Sequence, residues 1–199
     1  MGQGSHTYDQ EVLKKEPFFE IDRCYARSLR NLYELKKATR KHMRKWELEN
    51  HLIKKYAKYL GKKSPVDLQV RWISPTMGNG VFVNEPVKKG AFLCEYTGLI
   101  THEDKIDPDN RYVFNLMVGD DETGFVIDAR HSGNVARTIN HSDKPNVEAV
   151  TIFIDGQPRV VYTAFRDIKK GEELLVDYGE DYWHKWTKES TDASKSKKK

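Results

Sequence analysis

The sequence contains few cysteines and no long apolar run. Its two cysteines, Cys24 and Cys94, are isolated, which excludes a Cys-x-x-Cys metal knuckle and a disulfide framework and favours a reducing compartment. No stretch approaches the roughly 18 to 20 apolar residues of a membrane-spanning helix. The first ten residues lack a basic segment followed by an apolar run, so we expect neither a secretion signal nor a membrane segment.

The composition is that of a globular protein. The 199 residues are 38% hydrophobic, 32% charged and 11% aromatic, with 13 glycines and 7 prolines. These proportions exclude a collagen and a low-complexity chain. Because single domains contain roughly 100 to 200 residues, the length predicts one domain with an additional segment.

Charge is distributed unevenly along the chain. Residues 1–66 contain 16 Lys/Arg and 8 Asp/Glu (net +8), residues 67–186 contain 13 and 20 (net −7), and residues 187–199 contain 5 and 2 (net +3). Opposite charges accelerate encounter, so the acidic middle favours a cationic substrate and the basic ends favour polyanions. The alternative is a solvated surface on which the charges are unequally scattered.

A helical pattern occupies the N-terminal third. Between about residues 20 and 60, apolar side chains recur at helical spacing with lysines and arginines between them. These apolar residues are Leu29, Leu32, Tyr33, Met43, Trp46, Ile53, Tyr56 and Leu60. The pattern predicts one or two amphipathic helices that end at Gly61, before a linker ending at Pro65. Their basic face either follows nucleic-acid phosphates or is simply solvated while the apolar stripe packs on the neighbouring domain.

After Pro65 the pattern changes to short β-rich runs separated by Gly, Pro, Asn and Asp. The predicted strands are residues 68–73, 80–83, 91–96, 112–118, 125–128, 147–154 and 159–165. Asp155-Gly156 predicts a hairpin turn between the last two runs. The predicted fold class is therefore α+β, mostly β with an α-helical addition.

Four segments of the β-rich region suit a ligand site. They are Met77-Gly78-Asn79-Gly80, Glu95-Tyr96-Thr97-Gly98, residues 133–146 (GNVARTINHSDKPN) and residues 171–179 (GEELLVDYG). Glycines permit close approach of the backbone to a ligand. The many hydrogen-bonding side chains of the third segment predict a polar site. Each segment taken alone is equally compatible with a turn or a packed core residue.

In this order and at these distances, the four segments resemble the SET-domain protein-lysine N-methyltransferases of the small stand-alone type. The resemblance covers about residues 67–182 and includes the phrases Val126-Ile127-Asp128-Ala129 and Phe165-Arg166-Asp167-Ile168. It implies small β-sheets with a pseudoknot-like crossing, which brings the Asn140 and Tyr178 segments side by side. Such threading is a rare exception to unknotted chains.

The resemblance also predicts the division of the chain. We expect a basic helical region (1–66), a SET methyltransferase domain (67–182), and an aromatic lid with a basic, disordered tail (183–199). The lid would use Tyr182, Trp183 and Trp186. Many family members have a Cys-rich zinc segment after the catalytic tyrosine. This chain has no cysteine after Cys94, so we expect no zinc or other metal.

S-adenosylmethionine is the implied cofactor, and S-adenosylhomocysteine the product. The residues implied to bind it are Met77, Gly78, Asn79, Gly80, Tyr112, Arg137, Asn140, His141, Tyr178 and Trp183. The substrate lysine would enter from the opposite face through a channel lined by Tyr96, Tyr112, Val176 and Tyr178. The implied catalytic residues are Tyr178, which orients the amine, with Tyr96 and Tyr112.

Methyl transfer is an in-line displacement, so positioning can supply up to about 7 to 11 kcal/mol of the acceleration. A lysine with a pKa of about 10.4 must first lose its proton, which a water-poor channel favours. Many family members have Tyr or Phe two positions before the catalytic tyrosine, where this chain has Val176. The smaller side chain leaves room for more methyl groups unless another aromatic fills the gap, so the methyl number stays open.

The implied function is methylation of a protein lysine, and a histone is the expected substrate. The alternatives are a non-histone substrate, or a catalytically inactive SET-fold scaffold that binds chromatin. The expected partners are a basic peptide such as a histone tail, and nucleosomal DNA through residues 1–66, with no membrane. The expected location is the nucleus or chromatin, of the host if the protein is bacterial or viral.

Overall fold

Strands form most of the regular structure in the residues that the computed structural model describes, 19–40, 50–118, 121–154 and 156–179. Two α-helices, α1 (Leu29–Arg40) and α2 (Asn50–Tyr56), precede most of the strands. The strands are β1 (Phe19–Glu20), β2 (Leu68–Ser74), β3 (Gly78–Val83), β4 (Phe92–Glu95), β5 (Leu99–His102), β6 (Val113–Val118), β7 (Asp121–Asp128), β8 (Ser132–Gly133), β9 (Asn140–His141), β10 (Val147–Ile154), β11 (Gln157–Ala164) and β12 (Glu173–Val176). Short 3-10 helices lie at Ala57–Tyr59, Glu103–Lys105 and Val135–Thr138.

These strands form three small sheets. The largest runs in the order β2-β3-β12-β10-β11-β4, and β9 also pairs with β12. Strands β5, β7 and β6 form an antiparallel sheet, and β1 pairs in parallel with β8. Because β12 lies between β3 and β10, it joins elements that are far apart in sequence. The α+β class predicted from the sequence is confirmed.

Alternating side chains on β2 and β3 form one part of the core. Leu68 pairs with Val83 and Val70 pairs with Val81, and all four side chains are buried. Successive side chains of a strand point to opposite faces, so a spacing of two places these residues on one face. Burial of each such side chain stabilises the fold by about 1.5 to 3 kcal/mol.

The seven predicted β-runs correspond to β2, β3, β4, β6, β7, β10 and β11, with ends that differ by up to four residues. The sequence analysis missed β5, β12 and the two-residue strands. Only three residues separate β5 from β4, and β12 lies inside a segment interpreted as a ligand motif.

The turn between β10 and β11 is a two-residue hairpin. Ile154 pairs with Gln157, which leaves residues 155 and 156 between the strands. Gly156 has a φ of 73°, in the left-handed region that such turns require. The predicted hairpin is confirmed, although Asp155 itself lies outside the described residues.

The helix prediction was right for α1, but of the three predicted stripe residues on it, only Leu32 packs against the core. Leu29 and Tyr33 are 85% and 66% exposed, whereas Leu35 and Thr39 are buried. The Thr39 hydroxyl donates a hydrogen bond of 3.0 Å to the carbonyl oxygen of Gly156. This distant contact orients α1 so that Leu35, rather than the predicted pair, faces the core.

Helix α2 packs on the largest sheet. Tyr56 is buried with Phe92, Ile152 and Val161, and its hydroxyl donates to the carbonyl oxygen of Gly90 over 3.1 Å. Two other positions of the predicted stripe, Met43 and Trp46, lie outside the described residues. The predicted packing on the β-rich region is therefore confirmed for Ile53, Tyr56 and Leu60, and not for Leu29 and Tyr33 of α1.

Gly61 ends the helical region, as the sequence predicts. Its φ of 65° is in the left-handed region, and its N–H donates to Glu95 Oε2 over 3.1 Å. The boundary at residue 66 stays a prediction, since Leu35 and Tyr56 before it are buried together with residues after it.

Candidate active site

Two segments implied to be functional lie side by side. Strands β9 and β12 are parallel, with Asn140 opposite Leu175 and His141 opposite Val176. The Tyr178 hydroxyl donates a hydrogen bond of 2.8 Å to the carbonyl oxygen of Ile139. The segment of residues 177–179 is therefore held against the segment of residues 139–141 at both backbone and side chain.

His141 fixes the backbone at Tyr178. The Tyr178 N–H donates to His141 Nδ1 over 3.2 Å, so Nδ1 is an acceptor and carries no proton. The ring proton of the neutral imidazole is then on Nε2, which lies 3.1 Å from Asp143 Oδ1. Asp177 Oδ1 lies 3.7 Å from Nδ1. The imidazole thus connects the Asp143 carboxylate to the backbone of Tyr178.

A small cavity of about 250 Å³ opens beside Tyr178. Tyr96 and Tyr162 are buried in its wall, and their ring centroids lie 6.0 Å apart. Phe114 packs on Tyr96 with the centroids 5.4 Å apart. The cavity is smaller than the roughly 300 to 1,000 Å³ of most ligand clefts, so its size suits one side chain.

The buried tyrosines of this cavity stay protonated. Burial raises the pKa of Tyr96 well above its ordinary value, and the neighbouring Tyr178 raises it further. Burial also raises the pKa of Tyr162, with Tyr96 as the next cause. Both hydroxyls are therefore neutral hydrogen-bonding groups at physiological pH.

Two residues predicted to line the channel do not line this cavity. Tyr112 is 38% exposed, and its ring lies 3.9 Å from Cζ of Arg137, which does line the cavity. Val176 is buried in the main core, paired with His141 and Val147. The structure thus brings Tyr96 and Tyr178 together, while the channel roles of Tyr112 and Val176 stay predictions.

Arg137 is anchored to the backbone next to the cavity. Its Nη1 donates to the carbonyl oxygens of Ala129 and Arg130 over 2.8 and 2.7 Å. With the stacking on Tyr112, these bonds hold the guanidinium in one place, with a positive charge at the cavity wall.

Asn140 joins the third motif to the glycine-rich turn. Its side-chain amide donates to the carbonyl oxygen of Asn79 over 3.0 Å and to Glu173 Oε1 over 2.9 Å. A Cβ at Gly80 would displace the ends of the Glu173 and Ile73 side chains, so glycine lets these side chains pack closely on the turn. The segments predicted to bind the cofactor therefore meet, although Asn79 and Asn140 are 61 positions apart in sequence.

Next to Asn140, the turn around Gly78 has open space beside it. Gly78 has a φ of 71°, and among the described residues other than its two chain neighbours, no atom lies within 4 Å of the place where its Cβ would be. The side-chain oxygen of Asn79 is buried and accepts no hydrogen bond from the part of the chain that the structure describes. A buried acceptor without a donor suits a ligand that donates hydrogen bonds. Met77 is exposed in the same turn.

A buried ion pair precedes Tyr96. Glu95 is 1% exposed, and its two carboxylate oxygens accept hydrogen bonds from Nε and Nη2 of Arg159, the second over 2.8 Å. Asn134 donates to the Glu95 carbonyl oxygen over 2.6 Å, and Gly61 donates to the carboxylate. Strand β4, strand β11, the third motif and the end of the helical region are thus joined at one residue.

Sequence reasoning missed Tyr162, Phe114 and Glu173 as site residues. The available signal was the hydroxyl of Tyr162 directly after the apolar Val160 and Val161, because a buried polar group needs a partner or a function. Trp183, predicted to bind the cofactor, lies outside the described residues, as do Tyr182 and Trp186.

Among the described residues, no group of three or more His, Cys, Asp or Glu is arranged to hold a metal ion. In the same part of the chain, no helix has the length and apolar character to cross a membrane.

Comparison with known proteins gives consistent matches. Histone-lysine N-methyltransferase EHMT1 of Mus musculus is 39% identical over 113 residues, which are 54% of this chain and 9% of that protein. Putative histone-lysine N-methyltransferase ASHH4 of Arabidopsis thaliana is 40% identical over 110 residues, which are 51% of this chain and 30% of that protein. This chain therefore spans less than a third of the length of either relative.

Solved structures match the same region. KRYPTONITE, in a crystal structure with mCHH DNA, H3(1-15) peptide and SAH, is 33% identical with a TM-score of 0.51, covering 59% of this chain and 24% of its own. Arabidopsis thaliana SUVH6 in complex with SAM is 28% identical with a TM-score of 0.53, and the match covers 59% of this chain and 28% of the SUVH6 chain. The SET domain family matches residues 78–179, about half of this sequence. The chain belongs to the SET domain family.

Proposed function

We propose that this protein transfers a methyl group from S-adenosylmethionine to the side-chain amine of a protein lysine. The observation that carries the proposal is the 250 Å³ cavity, which is lined by Tyr178, whose hydroxyl is fixed by its bond to Ile139, and by the buried Tyr96 and Tyr162. The similarity to histone-lysine N-methyltransferases supports it.

The residues around Gly78 fit the cofactor. The open space at Gly78 leaves room for a ligand, and the buried Asn79 oxygen suits the α-ammonium group of the methionine part. Arg137 brings positive charge for the carboxylate. The remaining proposed contacts are Met77, Gly80, Tyr112, Asn140, His141, Tyr178 and Trp183. S-adenosylmethionine supplies an electrophilic methyl group on a sulfonium.

Tyr178 positions the amine. Because its hydroxyl proton is donated to Ile139, the phenol oxygen presents lone pairs that accept a hydrogen bond from the lysine amine. The amine is thereby oriented for in-line attack, and alignment of this kind contributes up to about 7 to 11 kcal/mol. The neutral hydroxyls of Tyr96 and Tyr162 add no negative charge that would hold the lysine as ammonium.

The walls of the cavity favour the neutral amine. Aromatic rings exclude water, and a water-poor environment disfavours the ammonium form, so the pKa of the entering lysine falls. The ring faces of Tyr96 and Phe114 also suit a methylammonium product. The chain's contribution is therefore positioning and exclusion of water.

A histone tail is the proposed substrate. Residues 67–186 have a net charge of −7, which attracts a basic peptide. The matching relatives are named as histone-lysine N-methyltransferases, and one similar solved structure contains an H3 peptide, which supports this choice. Nucleosomal DNA is the proposed second partner, contacted by the +8 region of residues 1–66, and chromatin is the proposed location.

Transfer of labelled methyl to core histones, nucleosomes and an unrelated lysine-rich peptide tests the proposal. We expect Tyr178→Phe to abolish label that the unchanged protein places on one histone lysine, as mass spectrometry would show. Tyr25→Phe is the matched control, since it also loses one hydroxyl hydrogen bond, to Ser132, outside the cavity. Equal label on all three substrates would contradict a histone preference. Cofactor binding without any methylated product would favour the inactive scaffold.

A further inference from the structure

A second and larger cavity lies on another side of the molecule. It has a volume of about 1,110 Å³ and shares no lining residue with the cavity at Tyr178. Helix α1 and the turn before it form one wall. Strands β5 and β7 and the 3-10 helix Glu103–Lys105 form the other. We call this cavity the α1 cleft.

Four cationic side chains line the α1 cleft, namely Arg27, Arg30, Lys37 and Lys105. All four are exposed, and the side chain of each makes no hydrogen bond or ion pair with any other described residue. Three of them come from one wall and Lys105 comes from the other. Their charge is therefore available to a ligand.

Three carboxylates also line the α1 cleft. Asp128 Oδ1 accepts hydrogen bonds from Asn110 Nδ2 over 2.8 Å and from the Arg130 N–H over 2.9 Å. Asp104 Oδ1 lies 3.2 Å from His102 Nδ1. Glu34 is the third carboxylate in the cleft wall. The four cations exceed the three carboxylates by one charge, so the cleft favours an anion.

The spacing of the cations suits a phosphodiester chain. Arg30 and Lys37 are seven residues apart on α1 and so lie on one face, separated by about 10 Å along the helix axis. A DNA strand has one phosphate per about 3.4 Å of duplex axis, so this distance matches about three phosphates. Arg27 extends the same wall in the N-terminal direction.

We infer that the α1 cleft binds the phosphate backbone of duplex DNA without reading its sequence. The inference rests on the proposed function for the choice of DNA among polyanions, and it assigns the proposed DNA contact to named residues. Cationic side chains without base-reading partners position a protein on DNA by counterion release. Because the cleft is separate from the cavity at Tyr178, DNA and a substrate lysine can be bound together.

Fluorescence anisotropy of a labelled 20-base-pair duplex, titrated with the full chain at several salt concentrations, tests this inference. The cleft variant is Arg27→Gln/Arg30→Gln/Lys37→Gln. The matched control, Lys54→Gln/Lys55→Gln/Lys58→Gln, removes the same charge from exposed positions outside the cleft. We expect the cleft variant to bind at least about tenfold more weakly at 0.1 M salt. Its slope of log K against log salt should fall by about 3 in magnitude, since each lost phosphate contact removes about one.

Lys105→Gln, on the opposite wall, should lower the magnitude of the slope by about 1. This single variant tests the cleft independently if the triple variant fails to fold. An equal loss in the matched control, or unchanged binding in both cleft variants, would overturn the inference. Polyglutamate of equal charge displacing the duplex equally well would overturn DNA as the partner.

Methylation of a free H3 peptide separates this inference from the proposed function. The cleft variant should keep its rate on the free peptide and lose rate on nucleosomes. If the unchanged protein methylates nothing but binds DNA through the cleft, the proposed function fails and the cleft assignment stands. If the cleft variant binds DNA normally while the free peptide is methylated, the cleft assignment fails alone.

Discussion

Replacement of Arg159 with methionine should destabilise the fold more than any comparable surface change. Glu95 would keep its hydrogen bond from the Gly61 N–H but would lose both bonds from the guanidinium, while remaining 1% exposed. Removal of one partner from a buried pair costs about 3 to 5 kcal/mol, because a charge is left buried and unpaired. At about 2 to 4 °C per kcal/mol for a chain of this size, Tm should fall by roughly 6 to 20 °C.

Thermal and urea unfolding followed by circular dichroism measure this effect. Arg166→Met is the matched control, since Arg166 pairs with Glu172 over 3.1 Å at a half-exposed site, where loss of the pair costs less than about 1 kcal/mol. The double variant Glu95→Gln/Arg159→Met removes the buried charge and should recover most of the lost stability. If Arg159→Met cost no more than Arg166→Met, the reasoning about burial would be refuted.

Three further predictions concern the cavity, the thiols and acid. Tyr162→Phe removes a hydroxyl from the cavity wall, so mass spectrometry of a methylated peptide should show a higher methyl number, and an unchanged product would contradict a limiting role for Tyr162. Burial raises the pKa of Cys24 to about 12 and raises that of Cys94 as well, so both thiols should react with a disulfide reagent at pH 8 only as the protein unfolds. Fast reaction in the absence of denaturant would contradict this. Hydrogen bonds and ion pairs lower the pKa of three carboxyl groups, whose stabilisation is present above their ordinary pKa of about 4 and lost as pH falls through the lower folded values. The three groups are Asp107, Asp167 and Glu172. The urea concentration at the unfolding midpoint should therefore fall on acidification below pH 4. A rise would refute the stabilising role of these carboxylates.

The strands were predictable because their pattern is local. Paired runs such as β10 and β11 are rich in β-branched and aromatic residues and are joined by a turn with a glycine at position 156. The buried face of α1 was not predictable in this way. It depends on the hydrogen bond from Thr39 to Gly156, which joins residues 117 positions apart. Helical spacing alone is compatible with a stripe through Leu29 or one through Leu35.

The site was predictable only as far as motifs identify it. Tyr96, Tyr178, Asn140 and Asn79 lie in motifs, and the structure brings the first two to one cavity and joins the last two by a hydrogen bond. Tyr162 lies in no motif. Strand alternation shows which residues share a face, but it does not show that this face meets a cavity formed by distant strands.

The position of β12 has a consequence for how the chain folds. This strand is the last one described, yet it lies in the middle of the largest sheet, between β3 and β10. Until it is inserted, both neighbours have an open edge, and exposed edges promote pairing with other chains. Pairings between distant strands also slow folding, because loop closure must come first. A ribosome-bound chain should therefore acquire its largest sheet, and with it the position of Tyr178, only after residue 178 has left the exit tunnel.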